Sequence, residues 1–352
     1  MNRSSPPERF AILADGQLGV FSAKTATCLL RYRGEEVVAV IDRDHAGSDT
    51  RRVLGVPAAV PIVPSLEKAL AFAPTALVIG ISPPGGRLPP EWRATILAAL
   101  AAGLDVISTL HEFLADDPEI AAAAARAGRR LVDLRRPPDT MPIAHAGAVE
   151  TRARRILTVG TDCSIGKMVA SVEIVREAQR RGIDAKMLAT GQTGMLIAGN
   201  GVAIDRVIGD FMAGVIEAEV LRHGDCDWLV IEGQGCLLHP AYSGVTAALL
   251  HGSLPDAMIL CHYPARPQMR NQSVTVPPLS QWIPLYEAML QPLHPRGRVV
   301  GIALNTYGME EAAARAAVDA ATRETGLPAT DVIRYGAAPL VEALVAALGS
   351  PR

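Results

Sequence analysis

The sequence predicts two α/β domains, each built on a parallel sheet covered by helices. Short apolar runs rich in β-branched residues alternate with helical patterns along both halves of the chain. The alternation stops between Asp133 and Arg155, in a stretch that contains three prolines. A glycine-bounded loop, GTDCSIGKM (Gly160–Met168), then follows an apolar run and precedes an amphipathic pattern. These observations predict an N-terminal Rossmann-like parallel-sheet domain followed by a P-loop NTPase-like α/β domain.

In the first half, strands and helices alternate from the N-terminus onward, and each apolar run ends near Gly, Asp or Pro. The SPPGGRLPP stretch is a loop, because its prolines exclude a helix. The predicted strands lie at Ala11–Ala14, Glu36–Ile41, near Ile62, Ala76–Ile81 and Asp105–Ser108. The predicted helices cover Ser22–Tyr32, Leu66–Ala71, Glu91–Ala102 and the alanine run at 121–125.

The second half repeats the alternation after a linker. We expect a first domain over residues 1–133, a linker over 134–154 and a second domain over 155–352. The predicted strands lie at Ile156–Val159, Ala185–Ala189, Trp228–Ile231, Ala257–Cys261, Val299–Ala303 and near Val332–Arg334. The predicted helices cover Met168–Arg181, Gly214–His223 and Glu310–Thr325.

The composition excludes several classes of protein. The chain has 352 residues, 49% of them apolar, and a net charge of −2 without a basic face, so we expect no nucleic-acid or membrane partner. Its five cysteines form no CxxC pair, which argues against a disulfide framework or a zinc site. The N-terminus has no apolar signal segment, and the apolar runs are too short to span a membrane. We therefore expect a cytoplasmic protein that binds small molecules.

The GTDCSIGKM stretch predicts a phosphate-binding loop, here called the P-loop (Gly160–Lys167). Backbone N–H groups between Asp162 and Lys167 would converge on an anion at the helix N-terminus, and Lys167 would supply a mobile positive charge. A tight turn with a surface lysine is the alternative. The candidate cofactor-binding residues are Gly160, Thr161, Asp162, Cys163, Ser164, Ile165, Gly166, Lys167 and Met168.

Met168 stands where P-loops carry the Ser or Thr that holds magnesium. A thioether is a poor Mg²⁺ ligand, so we expect neither Mg²⁺ nor another metal, and no phosphoryl transfer. The loop can still bind a pyrophosphate whose ester is not broken. Coenzyme A carries such a pyrophosphate, so acetyl-CoA is the predicted cosubstrate.

Two side chains near the P-loop are candidate catalytic groups, besides Lys167. Glu232 ends the strand Trp228–Ile231 in the sequence EGQGC, beside the P-loop if the two strands are neighbours, where it would be a general base. A solvated carboxylate that caps a turn is the alternative. Cys163 lies inside the loop, where a helix N-terminus lowers a thiol pKa, so an acyl-thioester intermediate is a second route.

Polar loops at the same sheet edge supply candidate substrate contacts. In TGQTG (Thr190–Gly194), Gln192 and Thr193 are suited to a substrate carboxylate or amide, although a plain turn is an equal alternative. Asp205 and Asp210 are suited to a substrate ammonium group, and they are equally good helix caps.

The segment LCHYPARPQMRN follows another strand and supplies His262, Arg266 and Arg270. An arginine there suits a dicarboxylate such as glutamate, because its planar fork binds a carboxylate through two parallel bonds. A solvated loop charge is the alternative for either arginine, and a structural histidine for His262. Asn305, at the end of VVGIALN, is suited to a purine edge or to a turn cap.

The N-terminal half has a weaker signature. LADGQLG follows the first strand and Asp42 ends the second, as in a dinucleotide-binding fold, but the third glycine of that fingerprint is missing. A nicotinamide site is therefore not expected. SAKTA (Ser22–Ala26) and SPPGG (Ser82–Gly86) are suited to a lid or a subunit contact, and we expect a homo-oligomer.

Taken together, GTDCSIGKM, EGQG, GQTG and the strand end ALN resemble a family long described as a domain of unknown function, whose members include D-glutamate N-acetyltransferase. The N-terminal ADGQLG, SAKTA and VVAVID segments and the LVDLRRPP stretch resemble the same family, so the resemblance covers the whole chain. It implies an acetyltransferase that uses acetyl-CoA and D-glutamate.

The second domain also resembles dethiobiotin synthetase, an ATP-dependent carboxylase whose loop has the same five-residue glycine spacing. That resemblance implies that Lys167 contacts the phosphate, Glu232 the metal and Asn305 the nucleotide base. Met168 departs from the pattern of that family, which has Thr after the lysine. Two alternatives to the acetyltransferase therefore stay open. One is an ATP-dependent ligase or kinase of a small carboxylate, with magnesium held by Asp162, Asp205 or Glu232. The other is a non-catalytic nucleotide sensor.

Overall fold

The computed structural model describes residues 8–20, 22–81 and 86–349, which form two compact units. The first unit comprises the residues up to Arg136 together with Met195–Gly199, and the second comprises Pro137–Gly194 and the residues from Asn200 onward. Most of the predicted SPPGG loop, Ser82–Gly85, lies outside the described residues.

The first unit is built on a six-stranded sheet with the order β3-β2-β1-β4-β5-β6. Every pairing within it is parallel, and this order is the one found in doubly wound dinucleotide-binding folds. The predicted Rossmann-like fold is therefore confirmed. The strands are β1 (Phe10–Leu13), β2 (Val37–Ile41), β3 (Ile62–Val63), β4 (Ala76–Ile79), β5 (Asp105–Ser108) and β6 (Leu131–Asp133).

Helices cover this sheet, and local sequence sets their ends. The longest begins at Asp117, whose carboxylate accepts hydrogen bonds from two backbone N–H groups, and stops at Gly128 in the left-handed conformation. Its alanines confirm the predicted helix at 121–125. The helices are α1 (Lys24–Tyr32), α2 (Thr50–Leu54), α3 (Leu66–Leu70), α4 (Arg93–Ala101) and α5 (Pro118–Ala127).

The second unit has a six-stranded parallel sheet with the order β12-β11-β10-β7-β9-β8. The central β7 lies between β10 and β9, so the loops that follow these three strands meet at the carboxyl edge of the sheet. The strands are β7 (Arg154–Gly160), β8 (Ala185–Leu188), β9 (Trp228–Ile231), β10 (Ala257–His262), β11 (Arg298–Leu304) and β12 (Ala329–Thr330).

Helix α6 follows the P-loop directly and buries its apolar side against the sheet. Helices α9, α10 and α12 were not predicted, because glycines in α9, Pro284 in α10 and a nearly continuous apolar run in α12 obscure the helical period. The helices are α6 (Lys167–Arg180), α7 (Gln192–Ala198), α8 (Met212–His223), α9 (Ser243–Ser253), α10 (Leu279–Leu290), α11 (Glu311–Thr325) and α12 (Ala338–Leu348).

Three predictions of local structure need correction. The last strand is Ala329–Thr330 and not 332–334, because the buried Asp331 carboxylate accepts N–H groups of Ile333 and Arg334 and turns the chain. The TGQTG stretch is a loop only up to Gly191, since α7 begins at Gln192. In SAKTA, Ala23, Thr25 and Ala26 are fully buried in the first unit, so this segment is part of a core helix and not a lid.

None of the helices within the described ranges combines the length and the apolar character that crossing a membrane requires.

Candidate functional site

The P-loop joins β7 to α6 and contains two residues with left-handed backbone. Ser164 has φ +52° and Gly166 has φ +106°. A serine seldom adopts this conformation, and left-handed residues next to right-handed ones occur in the backbone nests that bind anions. The loop thus contains two backbone positions of the kind that such nests use.

Lys167 is buried inside the P-loop. Its Nζ donates to the carbonyl oxygens of Asp162 (2.7 Å) and Gly235 (2.8 Å), and burial lowers the pKa of the ammonium group. The lysine is thus held in place in this structure, whereas the sequence predicted a mobile charge. An ammonium group has three N–H donors, so one remains for a phosphate oxygen.

Met168 is 3% exposed, so its thioether is packed inside the second unit. Ser171, the next hydroxyl residue on α6, does not replace the Ser or Thr hydroxyl that P-loops carry at the position of Met168. Ser171 Oγ donates to Lys167 O (3.1 Å) and lies 3.1 Å from Thr158 Oγ1. The first turns of α6 therefore present no magnesium-binding hydroxyl to the loop.

Asp162 joins the P-loop to the segment after β10, which we call the arginine segment (residues 263–273). Its Oδ2 accepts hydrogen bonds from Arg266 Nη1 and from the backbone N–H of Arg270, both at 2.8 Å. Burial by itself would raise the pKa of Asp162, but these hydrogen bonds and the Arg266 charge lower it. The carboxylate is therefore ionised, and it binds the arginine segment to the P-loop through these hydrogen bonds.

The two arginines of this segment differ in how they are held. Arg266 Nη1 also donates to Cys163 O (2.9 Å), and its guanidinium lies over the Tyr263 ring. Arg270 is exposed, and its Nη1 donates to Ser164 Oγ (2.6 Å). Both arginines thus lie against the P-loop, a contact that the sequence did not predict.

His262, at the end of β10, lies beside the second residue of the P-loop. Its Nδ1 is 2.8 Å from Thr161 Oγ1. Burial lowers the pKa of His262 to about 4, so its imidazole is neutral at physiological pH. His262 is thus a neutral, oriented ring at the loop.

The thiol of Cys163 is not activated. Burial and the neighbouring Asp162 carboxylate raise its pKa, and these effects outweigh Lys167 and Arg270. The prediction that the helix N-terminus lowers this pKa is therefore wrong. A protonated thiol is a poor nucleophile, which disfavours an acyl-enzyme at Cys163.

Glu232 directly follows β9, and β9 pairs with β7, so the condition on which its predicted position depends, that the two strands are neighbours, is met. Its carboxylate is 4% exposed and accepts the backbone N–H of Thr190 (3.1 Å). Gly194 leaves room for it, since a Cβ there would lie 2.2 Å from Glu232 Oε2. These contacts place Glu232 against the first turn of α7, where it accepts a backbone N–H as a capping carboxylate does but is buried and not solvated.

The other predicted residues are distributed along the sheet edge. Gln192 and Thr193 form the first turn of α7. Asp205 and Asp210 are exposed and lie in short 3₁₀ turns. Asn305 Oδ1 accepts the N–H of Tyr307 (3.1 Å), which is the turn cap that the sequence offered as an alternative to base recognition.

In the first unit, Asp42 is fully buried at the end of β2. Its carboxylate accepts the backbone N–H groups of Asp44 and His45, both at 3.0 Å, and that of Leu18 at 3.3 Å. Asp42 thus holds two loops of its own domain.

Two residues near the P-loop were missed by sequence reasoning. Tyr286 on α10 donates its O–H to Gly160 O (2.6 Å), and His239 lies 3.8 Å from the Asp162 carboxylate. Tyr286 was missed because α10 was not predicted, and His239 because no regular element contains it. Both residues are buried beside the P-loop.

One group within the described residues has metal-ligand side chains close together, namely Asp162, Cys163 and His239, whose ligand atoms lie within 4.8 Å of one another. In this structure each of the three side chains has another partner or keeps its proton. His239 Nδ1 accepts a hydrogen bond from the backbone N–H of Ala241 (3.2 Å), so the ring proton is on Nε2. This N–H donates a hydrogen bond to Arg270 O (3.1 Å). Asp162 is paired with Arg266, and Cys163 keeps its proton.

Both halves of the chain match one family. The P-loop domain of DUF1611, a domain of unknown function, matches residues 142–341. The Rossmann-like N-terminal domain of the same family matches residues 43–137. The crystal structure of a DUF1611 family protein from Anabaena variabilis is 43% identical and superposes with a TM-score of 0.91, covering 96% of this chain and 99% of that one.

Two curated relatives have a described activity. A D-glutamate N-acetyltransferase from Tritonibacter scottomollicae is 42% identical over 328 residues, which cover 93% of this chain and 95% of the relative. A D-glutamate N-acetyltransferase from a Pseudoalteromonas species is 35% identical over 278 residues, which cover 79% of this chain and 83% of the relative.

Proposed function

Because this chain belongs to the DUF1611 family and is an enzyme of the acyltransferase class, we propose that it acetylates the α-amine of D-glutamate. The observation that carries the proposal is the similarity to two D-glutamate N-acetyltransferases along most of the chain. The site is consistent with it, since its loops combine an anion cradle with a neutral imidazole and no activated thiol.

We propose acetyl-CoA as the acyl donor, with its pyrophosphate in the P-loop. The left-handed Ser164 and Gly166 and the buried ammonium of Lys167 support an anion at this position. The buried thioether of Met168 supports binding without phosphoryl transfer, because the loop lacks the hydroxyl that holds magnesium. In this proposal, binding of the pyrophosphate positions acetyl-CoA and takes no part in the chemistry.

In the proposed reaction, the amine nitrogen of D-glutamate attacks the thioester carbonyl. The C–N bond forms, the C–S bond breaks, and the coenzyme A thiolate takes up a proton as it leaves. Direct transfer is the proposed route, because the protonated Cys163 is a poor nucleophile.

The proton of the attacking amine needs an acceptor, and two side chains lie at this sheet edge. Glu232 is buried and its carboxylate accepts the Thr190 N–H, so we give it a positioning role. His262 is neutral and is held through Nδ1 by Thr161, which leaves Nε2 as the acceptor when Nδ1 carries the proton. We propose that His262 takes the proton as the C–N bond forms, because the attacking nitrogen is then positively charged and acidic enough for an imidazole of lowered pKa. Gln192 and Thr193 contact the acceptor carboxylates.

The proposal is tested by incubating the protein with acetyl-CoA or MgATP and a panel of D- and L-amino acids. Free thiol, phosphate and the acetylated product are followed separately. We expect thiol release and N-acetylglutamate with D-glutamate, and little with L-glutamate. Phosphate release from MgATP without thiol release would instead support a ligase or kinase, and binding without turnover would support a nucleotide sensor.

A further inference from the structure

We infer that Arg270 determines specificity for the acyl donor by binding the 3′-phosphate on the ribose of coenzyme A. This inference rests on the proposed function, in which acetyl-CoA is the donor. Coenzyme A carries two separate anionic groups, a pyrophosphate and a phosphate monoester on the ribose. The P-loop is suited to the first, and Arg270 lies at its rim for the second.

The backbone of Arg270 is fixed while its side chain is exposed. Its backbone N–H donates a hydrogen bond to Asp162 Oδ2 (2.8 Å), and its carbonyl oxygen accepts a hydrogen bond from the N–H of His239 Nε2 (3.1 Å). Within the described part of the chain, Ser164 Oγ is the hydrogen-bond partner of the guanidinium. A guanidinium has five N–H donors, so Arg270 presents most of them to solvent from an anchored position.

Arg266 does not share this property. Its Nη1 is used by Asp162 Oδ2 and Cys163 O, its Nη2 lies 3.5 Å from Ser164 O, and its guanidinium lies over the Tyr263 ring. Arg266 therefore fastens the arginine segment to the P-loop. Of the two arginines, Arg270 is the one whose donors are available to a ligand.

The position of Arg270 favours a phosphate monoester over the pyrophosphate. Its guanidinium bonds the side chain of Ser164, at the exposed tip of the loop, whereas Lys167 is inside the loop. Residues 265–273 of the arginine segment line an open depression of about 540 Å³, which provides space for a group outside the P-loop. The planar fork of an arginine binds a phosphate through two parallel hydrogen bonds.

The inference is tested by comparing acetyl-CoA with acetyl-dephospho-CoA, which lacks only the 3′-phosphate. We measure kcat/KM for both donors with the wild type, Arg270→Gln and Arg270→Lys. The control is Arg323→Gln, which changes an exposed arginine in the last turn of α11. Circular dichroism and thermal unfolding check that each variant is folded.

We expect the wild type to prefer acetyl-CoA by about tenfold or more, as charge-assisted hydrogen bonds to a phosphate allow. Arg270→Gln should bring this ratio close to one by losing activity with acetyl-CoA alone, and Arg270→Lys should keep part of the preference. The KM for D-glutamate should not change. Arg323→Gln should keep the wild-type ratio.

Three results would overturn the inference: equal use of both donors by the wild type, an equal loss with both donors in Arg270→Gln, or a raised KM for D-glutamate at an unchanged donor ratio. If neither donor acetylates D-glutamate, the proposed function fails separately. Calorimetric titration with CoA and dephospho-CoA then decides, because equal affinities in the wild type would reject the role of Arg270, and a preference lost in Arg270→Gln would support it.

Discussion

The carboxylate of Asp162 and the guanidinium of Arg266 lie 2.8 Å apart and join two loops that follow the neighbouring strands β7 and β10. Asp162 is 1% exposed, and its pair with Arg266 spans 104 positions of the sequence. A buried carboxylate that loses its charged partner is strongly destabilising, so this contact holds the geometry of the P-loop.

Replacing Arg266 with Ala should therefore lower the free energy of unfolding by about 2–4 kcal/mol, because the buried Asp162 carboxylate loses its charged partner. The free energy is measured by urea denaturation. A double-mutant cycle with Asp162→Asn isolates the pair, since removing the charge at Asp162 should make the loss of Arg266 much less costly. Additive effects of the two substitutions would show that they do not interact.

His262→Gln should lower kcat by about 100-fold or more, as expected for the loss of a general base, with little change in the KM for acetyl-CoA. Steady-state kinetics at saturating D-glutamate give both constants. Added imidazole should restore part of the activity of His262→Ala, which a purely structural role would not allow. The opposite pattern, full activity in both variants, would return the role of base to Glu232.

The same histidine should make stability depend on pH. Its pKa is about 4 in the folded protein and 6.5 ordinarily, so the unfolded chain binds more protons between these values. The wild type should therefore lose about 2 kcal/mol of stability as the pH falls from 6.5 toward 4, and nothing from this source above pH 7. Urea denaturation of His262→Gln should show a flatter profile in this window, and parallel profiles would contradict the assignment.

Cys163→Ala should keep activity within about threefold of the wild type, because the raised pKa of this thiol disfavours an acyl-enzyme. Mass spectrometry of the enzyme mixed with acetyl-CoA alone should show no acetylated Cys163. A variant that binds both substrates and yet loses nearly all activity would instead establish the covalent route.

Removal of metal ions should leave acetyl transfer unchanged. Met168 provides no magnesium-binding hydroxyl, and the Nε2 of His239 is occupied by a proton that it donates to Arg270 O. Dialysis against EDTA, followed by assays with and without added Mg²⁺ or Zn²⁺, checks this expectation. A loss that only one of these ions reverses would reveal a metal requirement.

The sequence predicts the fold well where local patterns are complete. Strands β5 and β9 lie at the predicted residues, because each is a buried apolar run bounded by polar or turn residues. That Glu232 follows a strand next to the strand before the P-loop also agrees with the sequence, since parallel strands end at one edge of a sheet. Local pattern therefore suffices for most of the strands, but not for β6, which was not predicted, or for β12.

Long-range contacts and burial decide the features that the sequence does not predict. Nothing local indicates that Asp162 accepts hydrogen bonds from Arg266 and Arg270, more than 100 positions away. The raised pKa of Cys163 depends on desolvation by surrounding residues, which opposes the helix N-terminus. The sequence predicts a loop at the first turn of α7, because glycines stand on both sides of Gln192 and Thr193.

The bonds that Lys167 makes inside the P-loop have a consequence for competition among anions. Two of the three N–H groups of the ammonium are used by the carbonyls of Asp162 and Gly235, so the lysine has one hydrogen bond to offer an arriving anion. In the proposed mode of binding, a ligand with several phosphate oxygens would engage several backbone N–H groups of the loop together, whereas a single inorganic phosphate or sulfate would engage few. We therefore expect large multiply charged ligands to bind this loop more tightly than common buffer ions.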